Sequence, residues 1–290
     1  MDILVIGGSG LVGTNIVETA RMDVDRVSGT YNTTKRENTE IQLDKTDEEE
    51  TMAAVREVNP DVVIDTAAFQ AVDNCETDRE RAWRVNATGT KNAAVAANEV
   101  AAHFLYLSTD YVFPGEPTEA PYTEKDSVSP INYYAETKYA GECAARIADN
   151  TTILRTSVIY GLASGNFVTW ALSELEAGNE IRIVDDQVST TTYAPDLAKA
   201  CLEVARGGIT GLYHAAGPVA QSRFEFTRQL ADVCGYDSEL VTPITTQEFG
   251  QEAPRPTDGS LDSAHLYETI DYQFNEPAAA FEEIRKQRNH

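Results

Sequence analysis

The chain has no hydrophobic run long enough to cross a membrane; its apolar stretches have the length of single buried strands. It also lacks paired cysteines. Cys75, Cys143, Cys201 and Cys234 show no C-x-x-C spacing. That excludes a disulfide framework and a cysteine zinc site, and fits reduced thiols in the cytoplasm. Histidine is equally scarce. His103, His214, His265 and His290 are scattered, so neither a metal site nor a Ser-His-Asp arrangement is expected. His103 and His214 read as structural residues of strands. Residues 1–20 have no basic leader and their apolar run is broken by glycines, which does not read as a signal peptide.

Positive charge is the other shortage. Lys and Arg number 23, with only seven lysines, against 47 Asp and Glu, for a formal charge of −24. Such a surface repels phosphate backbones, so no nucleic-acid partner is expected. The carboxylates are dispersed rather than gathered in a tail, which argues against a disordered acidic arm. Dispersed acid with little lysine resembles proteins from salt-loving organisms, whose self-repelling surfaces are screened by salt. The melting temperature is therefore expected to climb as KCl is raised into the molar range. Thermal scans that do not respond to KCl would contradict the salt-adapted reading.

What is present is an alternating α/β pattern. With 290 residues the chain can build one large α/β domain with a smaller lobe. Asp2-Ile3-Leu4-Val5-Ile6 reads as a buried parallel strand. It runs into Gly7-Gly8-Ser9-Gly10-Leu11-Val12-Gly13 and then a helical pattern to about Arg21. A G-x-G-x-x-G placed between a first strand and a helix is a dinucleotide fingerprint. Its glycines allow a tight turn and close backbone approach, and the helix N-terminus meets the pyrophosphate. Further strands are expected at 25–31, 40–43, 61–65, 103–107 and 151–155, with helices at 47–58, 78–99 and 132–149. The fold class is therefore a doubly wound parallel sheet of Rossmann type. Beyond residue 160 the pattern predicts helices at 166–178, 195–206 and 222–234, strands at 181–184 and 211–215, a polar loop at 185–193 and an irregular acidic tail. The nucleotide domain is assigned to 1–162 plus about 195–220. A discontinuous substrate lobe is assigned to about 163–194 plus 221–290.

The second expected strand ends without the acidic residue that holds an NAD ribose. Lys35 and Arg36 follow instead, which favours the 2′-phosphate of NADP(H) while leaving NAD(H) open. The chemistry centres on Tyr134-Ala135-Glu136-Thr137-Lys138. At i and i+4 on a helix, a phenol and an ammonium share one face. The ammonium is expected to lower the phenol's pKa, giving a proton donor for a carbonyl near neutral pH. Tyr133 has Thr137, not lysine, four residues on. Ser108 and Thr109 end the fifth strand and can orient the substrate oxygen. Asn86 reads either as a proton-relay residue or as a structural contact.

These motifs resemble the extended short-chain dehydrogenase/reductase superfamily, and within it the dTDP-4-dehydrorhamnose reductase family, over nearly the whole chain. The markers are the Gly7–Gly13 loop, Pro60-Asp61-Val62-Val63-Ile64, Ala71-Val72-Asp73-Asn74-Cys75-Glu76, Val85-Asn86, Ser108-Thr109-Asp110-Tyr111-Val112-Phe113-Pro114-Gly115, Tyr134 to Glu142, Leu154-Arg155-Thr156-Ser157 and Asp186-Gln187. The resemblance implies NAD(P)H-dependent reduction of the C4 ketone of dTDP-4-dehydro-6-deoxy-L-mannose to dTDP-L-rhamnose. It implies Thr109, Tyr134 and Lys138 as the catalytic set. Gly7, Gly10, Leu11, Val12, Asp44, Ala67, Ala68, Tyr134 and Lys138 become cofactor contacts, with Gly13 part of the same loop. Ser108, Phe113, Asn132, Ser157, Asn166, Gln187 and Arg255 are expected to face the nucleotide sugar, Arg255 as the cation for its diphosphate. The resemblance allows a homodimer. The chain departs from the family pattern at Val158, where tryptophan is frequent, at Thr191-Thr192, where Pro-Thr is usual, and at Asp65-Thr66 before Ala67-Ala68. Two other readings share these motifs: a non-catalytic NADP-binding subunit like that of methionine adenosyltransferase, and a nucleotide-sugar epimerase or dehydratase.

Overall fold

A computed structural model describes residues 1–22, 26–163 and 165–288. Asp25, expected to open the second strand, and His290 lie outside the described residues. Six strands follow the expected order: β1 (Asp2–Ile6), β2 (Arg26–Tyr31), β3 (Ile41–Gln42), β4 (Val62–Asp65), β5 (His103–Thr109) and β6 (Thr151–Thr156). Gly211–His214 rejoins them as a seventh, and the sheet order is Gly211–His214, β6, β5, β4, β1, β2, β3. Every pairing in it is parallel. The chain's direction of travel across the sheet reverses between β1 and β4. In parallel sheets that reversal opens a crevice at the carboxyl ends of the strands.

The near-continuous apolar strands are explained by helices on both faces. On one face Ile3, Val5, Ile64, Leu105 and Leu107 pack with Ile16 and Val17 of the helix Leu11–Ala20 and with Leu197 and Cys201 of the helix Ala194–Gly207. On the other, Leu4, Ile6, Val63, Phe104 and Tyr106 pack with Val55 of the helix Glu48–Val58 and Ala93 of the helix Gly89–Glu99. A third core gathers Tyr160, Leu172, Ile181, Phe226, Leu230 and Phe281 beyond the sheet.

The local differences have physical causes. The expected helix 78–99 is broken into Arg79–Trp83, a π-helical turn Arg84–Thr88 and Gly89–Glu99, and a further short helix, Val72–Thr77, precedes it. The Asp78 side chain caps Arg79–Trp83 by accepting from Arg81 N, and the wider π turn accommodates the buried Asn86. Part of the polar loop 185–193 is strand. Val188–Thr190 pairs with Ala220–Ser222, and Thr192–Tyr193 pairs with Ile159–Tyr160. Those runs are too short to show an alternation. The tail is not irregular: it forms helices Ala264–Ile270 and Pro277–Arg288. Leu266, Ile270 and Phe274 pack into the core of the large sheet, whereas Phe281 and Ile284 join the third core. Among the described residues no helix is long and apolar enough to span a membrane.

Candidate functional site

A cleft of about 970 Å³ lies over the carboxyl ends of β1, β4, β5 and β6. The glycine loop forms one end of it, through Gly7, Gly10, Leu11 and Val12. Gly7 has φ +84°, and a Cβ there would lie 2.8 Å from Thr66 Oγ1 and 2.9 Å from Ala67 N. Only glycine fits that approach. Gly10 is open except for Gly7 O at 3.3 Å. The helix that follows has no side-chain cap and no acidic residue in its first turn. Its amides and dipole are left for an anionic ligand. Gly13 does not line the cleft. Its absent Cβ, which would fall 2.2 Å from Gly7 O, lets the helix lie directly on the loop.

Asp44, Ala67 and Ala68 line the adjoining wall. Arg36 faces both this cleft and a neighbouring groove of about 840 Å³, where Arg21 and Lys35 join it. Lys35 lies in that groove and not in the main cleft. No carboxylate stands at the end of β2, where Asn32, Thr33 and Thr34 line the wall; the first acid, Glu37, lies in the neighbouring groove.

The far end is built by β5 and the helix Tyr133–Ala145. Asn132 caps that helix, accepting from Ala135 N at 2.9 Å and donating to Pro254 O at 2.9 Å. This fixes the phase of the helix, so that Tyr134 and Lys138 both face the cleft with Ser108 and Thr109. Tyr133 turns elsewhere, stacking under the Arg79 guanidinium at 4.6 Å. The Lys138 ammonium donates to Leu107 O at 2.6 Å and lies 4.2 Å from the Tyr106 ring centroid. Burial pushes its pKa down to about 7; Lys45 adds to the effect, and Asp65 and Glu142 oppose it. The Tyr134 phenol is not lowered as the i, i+4 spacing suggests. Burial raises it, the Asp110 carboxylate raises it further, and its hydrogen bond with Thr109 partly opposes them.

Several expected contacts are held inside the protein. Ser108 lines the cleft, but its hydroxyl donates to Glu142 Oε1 at 2.6 Å. Phe113 is fully buried and stacks on Tyr122 at 4.4 Å. Ser157 donates to Asp110 Oδ2 at 2.6 Å. Gln187 donates to Thr246 Oγ1 at 2.8 Å and Gln251 Oε1 at 2.6 Å. Arg255 is paired with Asp73 at 2.9 Å and its side chain is 7% exposed. Phe113, Asn132, Ser157, Gln187 and Arg255 therefore shape the walls from behind. Asn166 does line the cleft, and it caps the helix Phe167–Glu176. Asn86 is a structural contact: it accepts from Phe69 N at 2.8 Å and donates to Phe69 O and Thr137 Oγ1 at 3.1 and 3.0 Å. It ties the loop after β4 to the helix that carries Tyr134.

The family model described as RmlD substrate binding domain matches residues 1–288. The chain belongs to this family. It is 36% identical over 258 residues to a dTDP-4-dehydrorhamnose reductase of Mycolicibacterium smegmatis, covering 88% of this chain and 76% of that one. It is 32% identical over 274 residues to a probable low-salt glycan biosynthesis reductase, Agl14, of Haloferax volcanii, covering 92% and 91%. A crystal structure of dTDP-4-dehydrorhamnose reductase from Bacillus anthracis in complex with NADP superposes with a TM-score of 0.90 at 30% identity, covering 99% of each chain.

Arg81, Arg223 and Asp110 of this RmlD-family cleft escaped sequence reasoning, as did the backbone conformation of Val158. Arg81 lines it, stacked on Phe69 at 4.7 Å. Arg223 lines it beside Tyr111; the capping box Ser222-x-x-Glu225 that starts its helix was a signal that could have placed it. Val158 lines the cleft with φ +39°, a left-handed conformation that strains a β-branched residue. Asp110 is buried beneath Thr109, bonded to Thr109 and Ser157. Among the described residues no group of three His, Cys, Asp or Glu side chains is placed to hold a metal ion.

Proposed function

We propose that this protein is an NADPH-dependent reductase of the C4 ketone of a deoxy-sugar nucleotide, with dTDP-4-dehydro-L-rhamnose to dTDP-L-rhamnose as the leading reaction. The observation that carries the reading is the meeting of Tyr134, Thr109 and Lys138 at one end of a cleft whose other end is the uncapped glycine loop. The similarity to named reductases over most of the chain supports the substrate class. The open Gly10 and the free first helical turn fit a dinucleotide pyrophosphate. Arg36 with its neighbours Arg21 and Lys35, and the missing carboxylate at the end of β2, suit a 2′-phosphate. The NADP complex of the Bacillus anthracis relative is consistent with that preference.

When bound, the nicotinamide supplies the hydride. The chain's own residues do the rest. Burial keeps the Tyr134 phenol protonated, which is the form that can donate to a carbonyl oxygen becoming an alkoxide. Thr109 sits beside it to orient that oxygen. Lys138, anchored on Leu107 O, is placed to reach the cofactor ribose. We assign the substrate lobe to about 163–194 plus 221–290 around the third apolar core. Exposed Cys143 and the other free thiols suit a reducing cytoplasm, and the acidic surface argues against nucleic acid.

The test is to supply NADPH and the 4-keto sugar nucleotide in high salt and follow absorbance. Oxidation of NADPH supports the reading. No oxidation at any salt concentration, with a synthetase recovered as a partner, would favour the regulatory-subunit reading. The cations also make a prediction. Arg81 and Arg223 face the cleft, whereas Arg255 is neutralised by Asp73. A diphosphate is therefore expected to lean on Arg223. Arg223→Ala should raise the substrate KM by about tenfold or more, the worth of one charge-assisted hydrogen bond, with kcat changed far less. Arg255→Ala should chiefly lower the melting temperature.

A further inference from the structure

The Thr109 hydroxyl has one proton, and in this structure it is already used. Thr109 Oγ1 donates to Asp110 Oδ1 at 3.0 Å and accepts from Tyr111 N at 3.2 Å. The other Asp110 oxygen is taken by Ser157 Oγ at 2.6 Å. Asp110 is 3% exposed, Thr109 6% and Ser157 1%. An ionised carboxylate can only accept. As long as Asp110 is ionised, Thr109 therefore points its proton into the protein and presents a lone pair to the cleft, where the Tyr134 hydroxyl meets it. A ketone oxygen needs a donor, and a lone pair repels it. Nothing in the motif Ser108-Thr109-Asp110 signals this conflict; it appears only when the hydrogen bonds are traced.

We propose that Asp110 is a positioning residue that acts through Thr109: ionised, it holds the Thr109 proton away from the substrate oxygen, and protonated, it donates to Thr109 and frees that proton for the substrate. The inference rests on the reductase reading of the same site. Its geometry is supported by electrostatics. Burial raises the Asp110 pKa to about 6, while the hydrogen bonds from Ser157 and Thr109 and the charge of Arg223 hold it from rising further. The ionisable groups around it are Tyr111 on the same turn, Tyr134 on the facing helix and Arg223 beside Tyr111. Both phenols are raised by burial, so neither changes charge in the same range. Lys138 titrates nearby, at about 7, but it bonds Leu107 O and not Asp110.

The test compares pH profiles of kcat/KM with the 4-keto sugar nucleotide between about pH 5 and about pH 8, where a carboxyl near 6 changes state. The native protein should fall by about tenfold through an inflection near 6, the worth of one orienting hydrogen bond, with any limb from Lys138 at higher pH. In Asp110→Asn the short Ser157 bond keeps the amide oxygen towards Ser157, so the amide N–H faces Thr109. That variant should lose the inflection near 6 and stay on the upper level while keeping the Lys138 limb. In Ser157→Ala one donor to the carboxylate is gone, and the inflection should move to higher pH. An inflection that persists in Asp110→Asn, or stays fixed in Ser157→Ala, overturns the proposal. A second readout needs no turnover. Infrared difference spectra across the same range should show a protonated-carboxyl band that disappears as pH rises and is absent from Asp110→Asn. If no such band exists the inference fails, whatever the substrate. If the band is present and NADPH is never oxidised, it is the reductase reading that fails.

Discussion

Tyr134→Phe should lower kcat by on the order of 10²–10⁴-fold, the range of a lost general acid, while the affinity for NADPH stays within a few-fold of the native protein. The argument is local. The phenol lines the cleft beside Thr109, and burial keeps it protonated. Ser108 spends its proton on Glu142 and Thr109 spends its own on Asp110. Removing one oxygen atom leaves the helix, its Asn132 cap and the Lys138 anchor in place. The glycine loop lies at the other end of the cleft and should still bind the cofactor. Stopped-flow turnover and fluorescence titration of NADPH separate the two effects. A variant with native kcat would remove Tyr134 as the proton donor. One that no longer binds NADPH would show that the phenol holds the cofactor rather than the proton.

The same residues show how far a sequence carries such a site. The doubly wound sheet was legible because most of its strands are short apolar runs and several of its helices have a cap or a breaker. Asp47 caps Glu48–Val58, accepting from Glu50 N, and left-handed Asn59 with φ 46° ends it ahead of Pro60. The glycine loop and the Tyr134–Lys138 pair were legible because local spacing alone decides which atoms share a face. The order of strands then brings them together, since β1 and β4 are neighbours at the reversal of the sheet.

What spacing cannot convey is which polar groups already have partners. Arg255 looked like a cation for a diphosphate, yet Asp73, 182 residues away in sequence, neutralises it. Gln187 and Ser157 looked like substrate contacts, yet each is bonded to residues brought in by the fold. Arg223 had no motif around it beyond a capping box, and it is one of the cations that face the cleft. The Tyr134 shift runs opposite to the i, i+4 expectation for the same reason. The i, i+4 lysine is visible in sequence, whereas burial and the Asp110 carboxylate, which dominate, are not. The tail was read as irregular because Ala280, Phe281 and Ile284 give too few apolar positions to define a period, although all three are fully buried.

The largest expected loss of stability follows from a residue two turns beyond Tyr134 on the same helix. Glu142 is fully buried. It accepts from Arg155 Nε and Nη2, each at 2.8 Å, and from Ser108 Oγ at 2.6 Å. One carboxylate thus ties the helix Tyr133–Ala145 to the ends of both β5 and β6. Arg155 is 2% exposed, and its remaining nitrogen, Nη1, has no hydrogen-bond partner. Glu142→Leu would leave that guanidinium charged and buried among Phe113 and its neighbours. Breaking a buried pair from one side costs about 3–5 kcal/mol, which corresponds to a fall in melting temperature on the order of 10 °C. Exchanging both partners for apolar residues removes the stranded charge as well. Glu142→Leu with Arg155→Leu should therefore recover most of the loss, because ion pairs replaced whole are often neutral or stabilising. Calorimetry of the two variants and of Arg155→Leu closes the cycle. A single Glu142→Leu variant that melts like the native protein would mean the pair is weak and the helix is held by its apolar contacts alone. A double variant as unstable as the single would assign the loss to packing rather than to the uncompensated charge.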